Sequence, residues 1–225
     1  MQNIKYYTDL IGNEIKTAFI ENKFLLLFST LLFVIPMFIG YFFAPYIAGA
    51  LNPMVDSFRD RVQQGEIKIT PDSIFFNNVY VAIIMYFGSI LFGIITVSAL
   101  VTNGVFIGYF ATQMPLGAFL LYTLPHGIFE IPAIIIAGCG GFVLLKFIFN
   151  FVYNVINYKD IPKTDEFDNL NNLAIKDKIV LALNFNISKL TQSLALFALS
   201  VVLLIIAAFI EAYLTIPIAS LFISF

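Results

Sequence analysis

Long stretches without a charged residue are the feature that most constrains this sequence. Residues 24–45 and 79–101 contain no Asp, Glu, Lys or Arg. Each stretch is long enough for a transmembrane helix, which needs roughly 20 apolar residues to cross about 30 Å of hydrocarbon. With 60% hydrophobic and 12% charged residues, the 225-residue chain also carries more apolar side chain than a water-soluble domain of this length can bury. The sequence therefore predicts an all-α, polytopic transmembrane helical bundle whose first partner is the lipid bilayer.

About five spans are predicted, within a single membrane domain over residues 1–225. The clear ones cover residues 24–45, 79–101, 125–158 and 191–225. Residues 105–124 are expected to form a kinked or re-entrant span, because Gln113 and Pro115 interrupt its middle. A helix break is expected at Thr102-Asn103-Gly104, and Pro125 is expected in the first turn of the next helix.

Polar segments flank these spans. Residues 1–23 have apolar side chains at helical spacing, which predicts an interfacial amphipathic helix. Residues 46–78 are expected to form an outer loop with one short helix, and residues 159–190 a cytoplasmic loop with an amphipathic helix. Short loops rich in Lys and Arg stay in the cytoplasm, and the stretch from Lys146 to Lys189 contains six lysines, counting these two. A multi-pass cell-membrane protein with a cytoplasmic N-terminus and an outward C-terminus is therefore predicted.

Charge and cysteine content argue against nucleic-acid binding and exclude an internal disulfide. The net charge of −2 gives no basic excess for nucleic-acid binding. The single cysteine, Cys139, rules out an internal disulfide and is expected to be a small buried packing residue.

Ionisable residues inside the predicted spans need a physical reason, because each costs at least ~2.5 to 3.5 kcal/mol in hydrocarbon. His126 and Glu130 are four residues apart and share one helix face. At a rise of ~1.5 Å per residue, Glu130 is roughly 24 Å from Lys146, and Glu211 is about 33 Å from Lys189. We therefore expect His126, Glu130 and Glu211 to converge in the outward half of the membrane.

Three roles fit this trio. It can be a structural hydrogen-bonded cluster, a site for a proton, substrate or lipid headgroup, or a divalent metal site such as one for zinc. The metal signal is weak, because the chain has one His and one Cys and lacks an HExxH motif. No cofactor and no catalytic residue is expected.

Small and polar residues in and around the spans favour helix packing. Asn77, Asn78 and Asn103 are interpreted as polar residues at helix ends. The small residues expected at close helix contacts are Gly104 and Gly108, in a GxxxG spacing, and Ala133, Ala137 and Gly141, in a second ladder. The second ladder suits either packing within the chain or the seam of a homodimer.

The segment from Phe75 to Gly141 resembles the core of the stage II sporulation protein M family. The matching features are Asn77 or Asn78, Asn103-Gly104, LPHGIFEIPA at residues 124–133 and the glycine-rich residues 138–141; AAFIEAYLTIP at residues 207–217 resembles the family's C-terminal end. This resemblance implies a multi-spanning protein that, in spore-forming bacteria, works with two peptidoglycan-degrading partners during engulfment and helps to localise or assemble them. It does not imply catalysis by this subunit.

Three functions are consistent with the sequence. The first is a non-enzymatic scaffold or assembly factor for membrane or envelope-remodelling partners. The second is a transporter or channel-like protein that uses the buried His and Glu groups. The third is an intramembrane metal-dependent hydrolase.

Overall fold

The computed structural model describes residues 2–65, 70–162 and 173–222. Helices make up nearly all of these residues, and no strand occurs among them, which confirms the predicted all-α class. The α-helices are α1 (Gln2–Glu21), α2 (Lys23–Phe42), α3 (Ala44–Gln63), α4 (Pro71–Gly88), α5 (Ile94–Phe110), α6 (Leu116–Ile156), α7 (Ile175–Ile210) and α8 (Ile216–Ser220). A 3₁₀ turn, Ala111–Gln113, follows α5, another, Tyr158–Asp160, follows α6, and a π-helical segment, Glu211–Thr215, joins α7 to α8.

Four helical stretches of the described chain are long and apolar enough to cross a membrane. They are Lys23–Phe42, Ile94–Gln113, Leu116–Ile156 and Ile175–Ser220. Large apolar side chains on their outer faces are exposed, as on α2 at Phe24, Leu31, Ile35, Phe38 and Phe42. Lipid is the medium that accepts such a surface, so the chain is a membrane protein.

The predicted span 79–101 is two helices and not one. α4 ends at Gly88, the chain turns through residues 89–93, and α5 begins at Ile94. Phe92 and Gly93 have positive φ angles of 54° and 75°. A tight reversal of this kind needs left-handed backbone, which Gly93 supplies at little cost. Hydropathy did not reveal it, because the turn residues are as apolar as the helices they join.

The break expected at Asn103-Gly104 is absent, because α5 continues through both residues to Phe110. The break lies instead at residues 111–115, where Pro115 precedes the first turn of α6. The interruption predicted near Gln113 and Pro115 is therefore a boundary between two helices. Residues 116–124 belong to α6, which has Pro125 in its interior and not in its first turn.

The long helices α6 and α7 form an antiparallel pair. Gly140 lies beside Ser193 near the middle of the pair, and His126 lies beside Thr215 near one end. The amphipathic helix and the last span, predicted as separate elements, are one helix, since α7 runs without interruption from Ile175 to Ile210. Residues 163–172 of the predicted loop, and 223–225 at the end of the last predicted span, lie outside the described residues.

α2 and α5 run parallel in backbone contact through glycines. A Cβ added to Gly104 would collide with the carbonyl oxygen of Phe33, and one added to Gly108 would collide with that of Met37. Gly40 of α2 approaches the backbone of Val105 in the same way. The absence of side chains at these positions is what lets the two helices meet this closely.

The second ladder, Ala133, Ala137 and Gly141, faces helices of the same chain. Both alanines are fully buried in a cluster with Ala82 of α4 and Leu204 of α7. A Cβ on Gly141 would lie 2.8 Å from the carbonyl oxygen of Met85. Within one chain this ladder is therefore already covered, which removes it as the basis for a homodimer seam. Cys139 is buried beside it.

Two helices lie beside the bundle. α1 places Ala18 in a buried cluster with Cys139 and Val143 of α6 and Leu196 of α7. The predicted outer loop 46–78 is largely helical, because α3 fills residues 44–63 and α4 begins at Pro71; residues 66–69 lie outside the described part of the chain. The buried face of α3, Ala44, Leu51 and Val55, packs with Tyr109 of α5.

The glycine contact between α2 and α5 gives a test of this packing. Replacing Gly108 by Ala should destabilise the folded protein by about 1–3 kcal/mol, because the new methyl group collides with backbone that has no room to move. Reversible unfolding in mixed micelles measures the effect. Gly117→Ala is the matched control, since its Cβ meets nothing within 4 Å. Equal stability of the two variants would contradict the close contact.

Candidate functional site

The three ionisable side chains singled out in the sequence lie together in the structure. Nε2 of His126 is 3.8 Å from Oε2 of Glu130 and 3.9 Å from Oε2 of Glu211. One ligand-capable atom from each of the three residues lies within 4.8 Å of the other two. We call these residues the His126 cluster.

Two elements position the cluster. α6 supplies His126 and Glu130 from successive turns of one face, and the π-helical segment Glu211–Thr215 supplies Glu211 and Thr215. π-Helical turns are rare and occur frequently at functional sites, because the extra residue per turn redirects side chains. Here the widened turn directs both Glu211 and Thr215 to the same imidazole.

Thr215 contacts both His126 and its own helix. Its hydroxyl oxygen lies 3.2 Å from Nδ1 of His126 and 3.3 Å from the carbonyl oxygen of Ile210. The hydroxyl has one hydrogen, so it either donates to Ile210 and accepts from a protonated Nδ1, or donates to an unprotonated Nδ1. The first arrangement leaves Nε2 of a neutral imidazole with a lone pair on the side of the two glutamates.

A cavity of about 240 Å³ opens onto the cluster. All three cluster residues line it, and most of the remaining wall is aromatic or apolar, including Phe106, Phe110, Phe119 and Tyr122. The ionisable groups thus face a shaped space inside the protein that is large enough to admit a small ligand.

The predicted polar residues at helix ends lie inside helices. Asn77 and Asn78 are in the interior of α4, and Asn103 is in the interior of α5. The Asn103 side chain donates to the carbonyl oxygen of Ala99, one turn back along its own helix, at 2.8 Å. None of the three borders the His126 cavity.

A second polar centre lies near the other end of the bundle and was missed in the sequence. Lys189 donates to Glu21 at 2.5 Å and to the amide oxygen of Gln192 at 3.1 Å. The Gln192 amide nitrogen donates to Glu21 at 2.8 Å, and Asn22 donates to Gln192 at 2.9 Å. This Gln192 network joins the end of α1 to α7. Its only sequence signal is the placement of Glu21 and Lys189 just outside apolar runs.

Comparisons with known proteins found a matching family model and similar proteins from one organism. The model of a family described as stage II sporulation protein M matches residues 29–216. Two relatives come from Methanocaldococcus jannaschii. "Uncharacterized protein MJ0793" is 35% identical over 153 residues, 66% of this chain and 72% of that protein. "Uncharacterized protein MJ0706" is 25% identical over 233 residues, 100% of this chain and 95% of that protein. No solved structure matches.

The Gln192 network predicts a pH effect. Hydrogen bonds from Lys189 and then Gln192 lower the pKa of Glu21 below its ordinary value. A lowered folded-state pKa stabilises the protein above the unfolded-state pKa of Glu21, and this stabilisation is lost as pH falls through the lower, folded-state value. Wild type should therefore melt at a higher temperature than Glu21→Gln near pH 6, and the difference should shrink in acid below about pH 4.5.

Circular dichroism melts in detergent measure this difference. Because the Glu21 side chain is 46% exposed, we expect a small effect that salt weakens. Glu14→Gln, on the same helix, is the control. A gap between wild type and Glu21→Gln that stays constant from pH 6 to pH 3 would exclude a stabilising role for the ion pair.

Proposed function

This chain belongs to the stage II sporulation protein M family, and from that membership and the shape of its longest helices we propose that it is a membrane-embedded, non-catalytic scaffold for membrane or envelope proteins. One observation carries the proposal: α6 and α7 are each much longer than a membrane span requires, and they stay packed together beyond Lys146.

The lengths of the two helices support an extension beyond the bilayer. α6 has 41 residues, about 61 Å at 1.5 Å per residue, which is twice what a span needs. Beyond Lys146, residues 147–162 pack against residues 173–188 of α7 and the segment before it; we call this unit the distal hairpin. Ile161, Leu181 and Ala182 form its buried core, with Phe151 and Val155 packed on them. A projection with its own core presents a rigid surface to a partner.

The surface of the distal hairpin suits protein binding. Several of its large apolar side chains are exposed, namely Phe149, Val152, Tyr153, Ile156, Ile175, Ile179 and Phe185. An apolar surface outside the hydrocarbon is typical of protein interfaces. A scaffolding role also agrees with what the family resemblance implies, the localisation or assembly of partner proteins.

In the proposed topology the chain crosses the membrane five times, through α2, α4, α5, α6 and α7. α2 leaves the cytoplasm, and α5 runs parallel to it. α4 precedes α5 across the tight turn, so it crosses in the opposite direction. α6 runs opposite to α5, because Gly93 lies by Phe142 and Gly138 by Leu100. The N-terminus and the lysine-rich distal hairpin are then cytoplasmic, and the His126 cluster lies in the outer half.

Photocrosslinking tests the scaffold. A photoreactive residue in place of Tyr153 should form discrete protein adducts in native membranes, whereas one in place of Phe38, equally exposed on α2, should react with lipid. The double variant Ile156→Asp/Ile179→Asp should lose the protein adducts by at least tenfold, with an unchanged melting temperature. Adducts to lipid alone at both positions would argue against a docking surface.

Cysteine labelling tests the topology. In a Cys139→Ala background, Ser57→Cys on α3 should react with a membrane-impermeant maleimide in intact cells, because α3 lies on the outer side. Lys159→Cys in the distal hairpin should react only after permeabilisation. The reverse pattern would show that the orientation is opposite to the proposed one. Reaction of both residues in intact cells would show that the number of crossings is not five.

A further inference from the structure

The His126 cluster brings together three side chains that can each offer one ligand atom to a cation, and these atoms lie within 4.8 Å of one another. The separations of 3.8 and 3.9 Å from Nε2 of His126 to the two glutamates are too long for direct hydrogen bonds. A divalent cation held between the three side chains would favour the deprotonated form of each, because metal ligands bind without their protons.

We propose that the His126 cluster binds one divalent transition-metal ion of the zinc type, through Nε2 of His126 and one carboxylate oxygen each from Glu130 and Glu211. The two carboxylates balance the double positive charge of the ion, so the site is neutral apart from the imidazole dipole. Neutral sites are the ones that hydrocarbon surroundings tolerate.

The geometry fits such an ion after small side-chain movements. Two ligands bonded to one tetrahedral zinc at 2.0–2.2 Å lie about 3.4 Å apart. The two separations from Nε2, 3.8 and 3.9 Å, exceed this value, and the ligand oxygens of Glu130 and Glu211 lie within 4.8 Å of each other, so rotation of the glutamate side chains has to bring the three ligand atoms closer together. A mixed imidazole and carboxylate set favours Zn²⁺ or Mn²⁺ over Mg²⁺ and Ca²⁺, which prefer oxygen ligands alone.

Thr215 completes the site without touching the ion. A metal-ligating histidine almost always donates its other ring N–H to an oxygen acceptor, which fixes the ring and raises its basicity. The bond from Nδ1 to Thr215 supplies that acceptor. Thr215 is therefore a positioning residue, held by its own bond to Ile210.

The cavity gives the ion an open side. Three protein ligands leave a tetrahedral ion one position, which water or an exchangeable oxygen ligand fills. Because His126, Glu130 and Glu211 all border the 240 Å³ cavity, that position opens toward it. The aromatic wall makes the cavity suitable for an amphiphile whose oxygen-bearing end reaches the metal.

The test uses the full chain, purified in detergent without a polyhistidine tag, stripped with a chelator and titrated with ZnCl₂ by calorimetry. We expect saturable binding of one Zn²⁺ per chain and a rise in melting temperature on binding. His126→Ala, Glu130→Gln and Glu211→Gln should each weaken binding at least 100-fold. Glu14→Gln, outside the cluster, should bind as wild type does.

Substitutions of Thr215 distinguish a metal site from a cluster of side chains that is only packed together. Thr215→Val should weaken Zn²⁺ binding 10- to 100-fold, and Thr215→Ser, which keeps the hydroxyl, should restore it. The Ile156→Asp/Ile179→Asp variant should bind Zn²⁺ normally, so the proposal of a metal site and the proposal of a scaffold can be rejected independently.

Two outcomes would overturn the proposal. The first is a folded wild-type protein that shows no saturable binding of Zn²⁺ or Mn²⁺, in which case a proton supplies the positive charge. The second is binding that the three ligand substitutions leave unchanged, which would place the ion elsewhere. Circular dichroism of each variant establishes that lost binding is not lost folding.

Discussion

The antiparallel contact between α6 and α7 organises the described part of this protein. At one end of the bundle, α6 and the π-helical segment after α7 supply the His126 cluster; the Gly140–Ser193 contact lies at the centre of the pair, and the distal hairpin lies at its other end. Small residues and hydrogen bonds hold this contact. The Ser193 hydroxyl donates to the carbonyl oxygen of Gly140 at 2.8 Å, and the Tyr86 hydroxyl lies 2.8 Å from the Ser193 hydroxyl. In lipid such contacts replace the hydrophobic effect, which gives no net attraction between helices already surrounded by acyl chains.

The same constraint explains why glycines lie at the closest contacts between the other helices. Gly104 and Gly108 bring α5 against the backbone of α2, and Gly141 brings α6 against the backbone of α4. Large apolar side chains such as Phe33 and Leu100 fill the interior between these contacts, and many others face outward, where lipid accepts them. A water-soluble bundle places mostly polar residues at such outward positions.

Sequence reasoning predicted the helical class, the membrane setting and the His126, Glu130 and Glu211 grouping. The grouping was predictable because helical rise is constant, so counting residues from Lys146 and Lys189 gives depth. The turn at residues 89–93 was not predictable from hydropathy, since a reversal made of apolar residues looks like helix. The helix boundaries predicted at Asn103 and Pro125 were wrong for a related reason. In a membrane helix an Asn side chain can donate to the carbonyl oxygen one turn back, as Asn103 does, and neighbouring helices can satisfy the carbonyl group that a proline leaves without a partner.

The Gln192 network lies where α1 meets α7 and the His126 cluster lies where α6 meets the π-helical segment after α7, and their hydrogen bonding differs. In the network the Lys189 ammonium and the Gln192 amide both donate to Glu21, and Asn22 donates to Gln192. These bonds join α1 to α7, although the side-chain oxygen of Asn22 is buried without a partner among the described residues. In the cluster, by contrast, the three ionisable side chains lie too far apart for direct hydrogen bonds to one another and border a cavity. Direct hydrogen bonds close the network, whereas the cluster leaves room between its side chains for an ion.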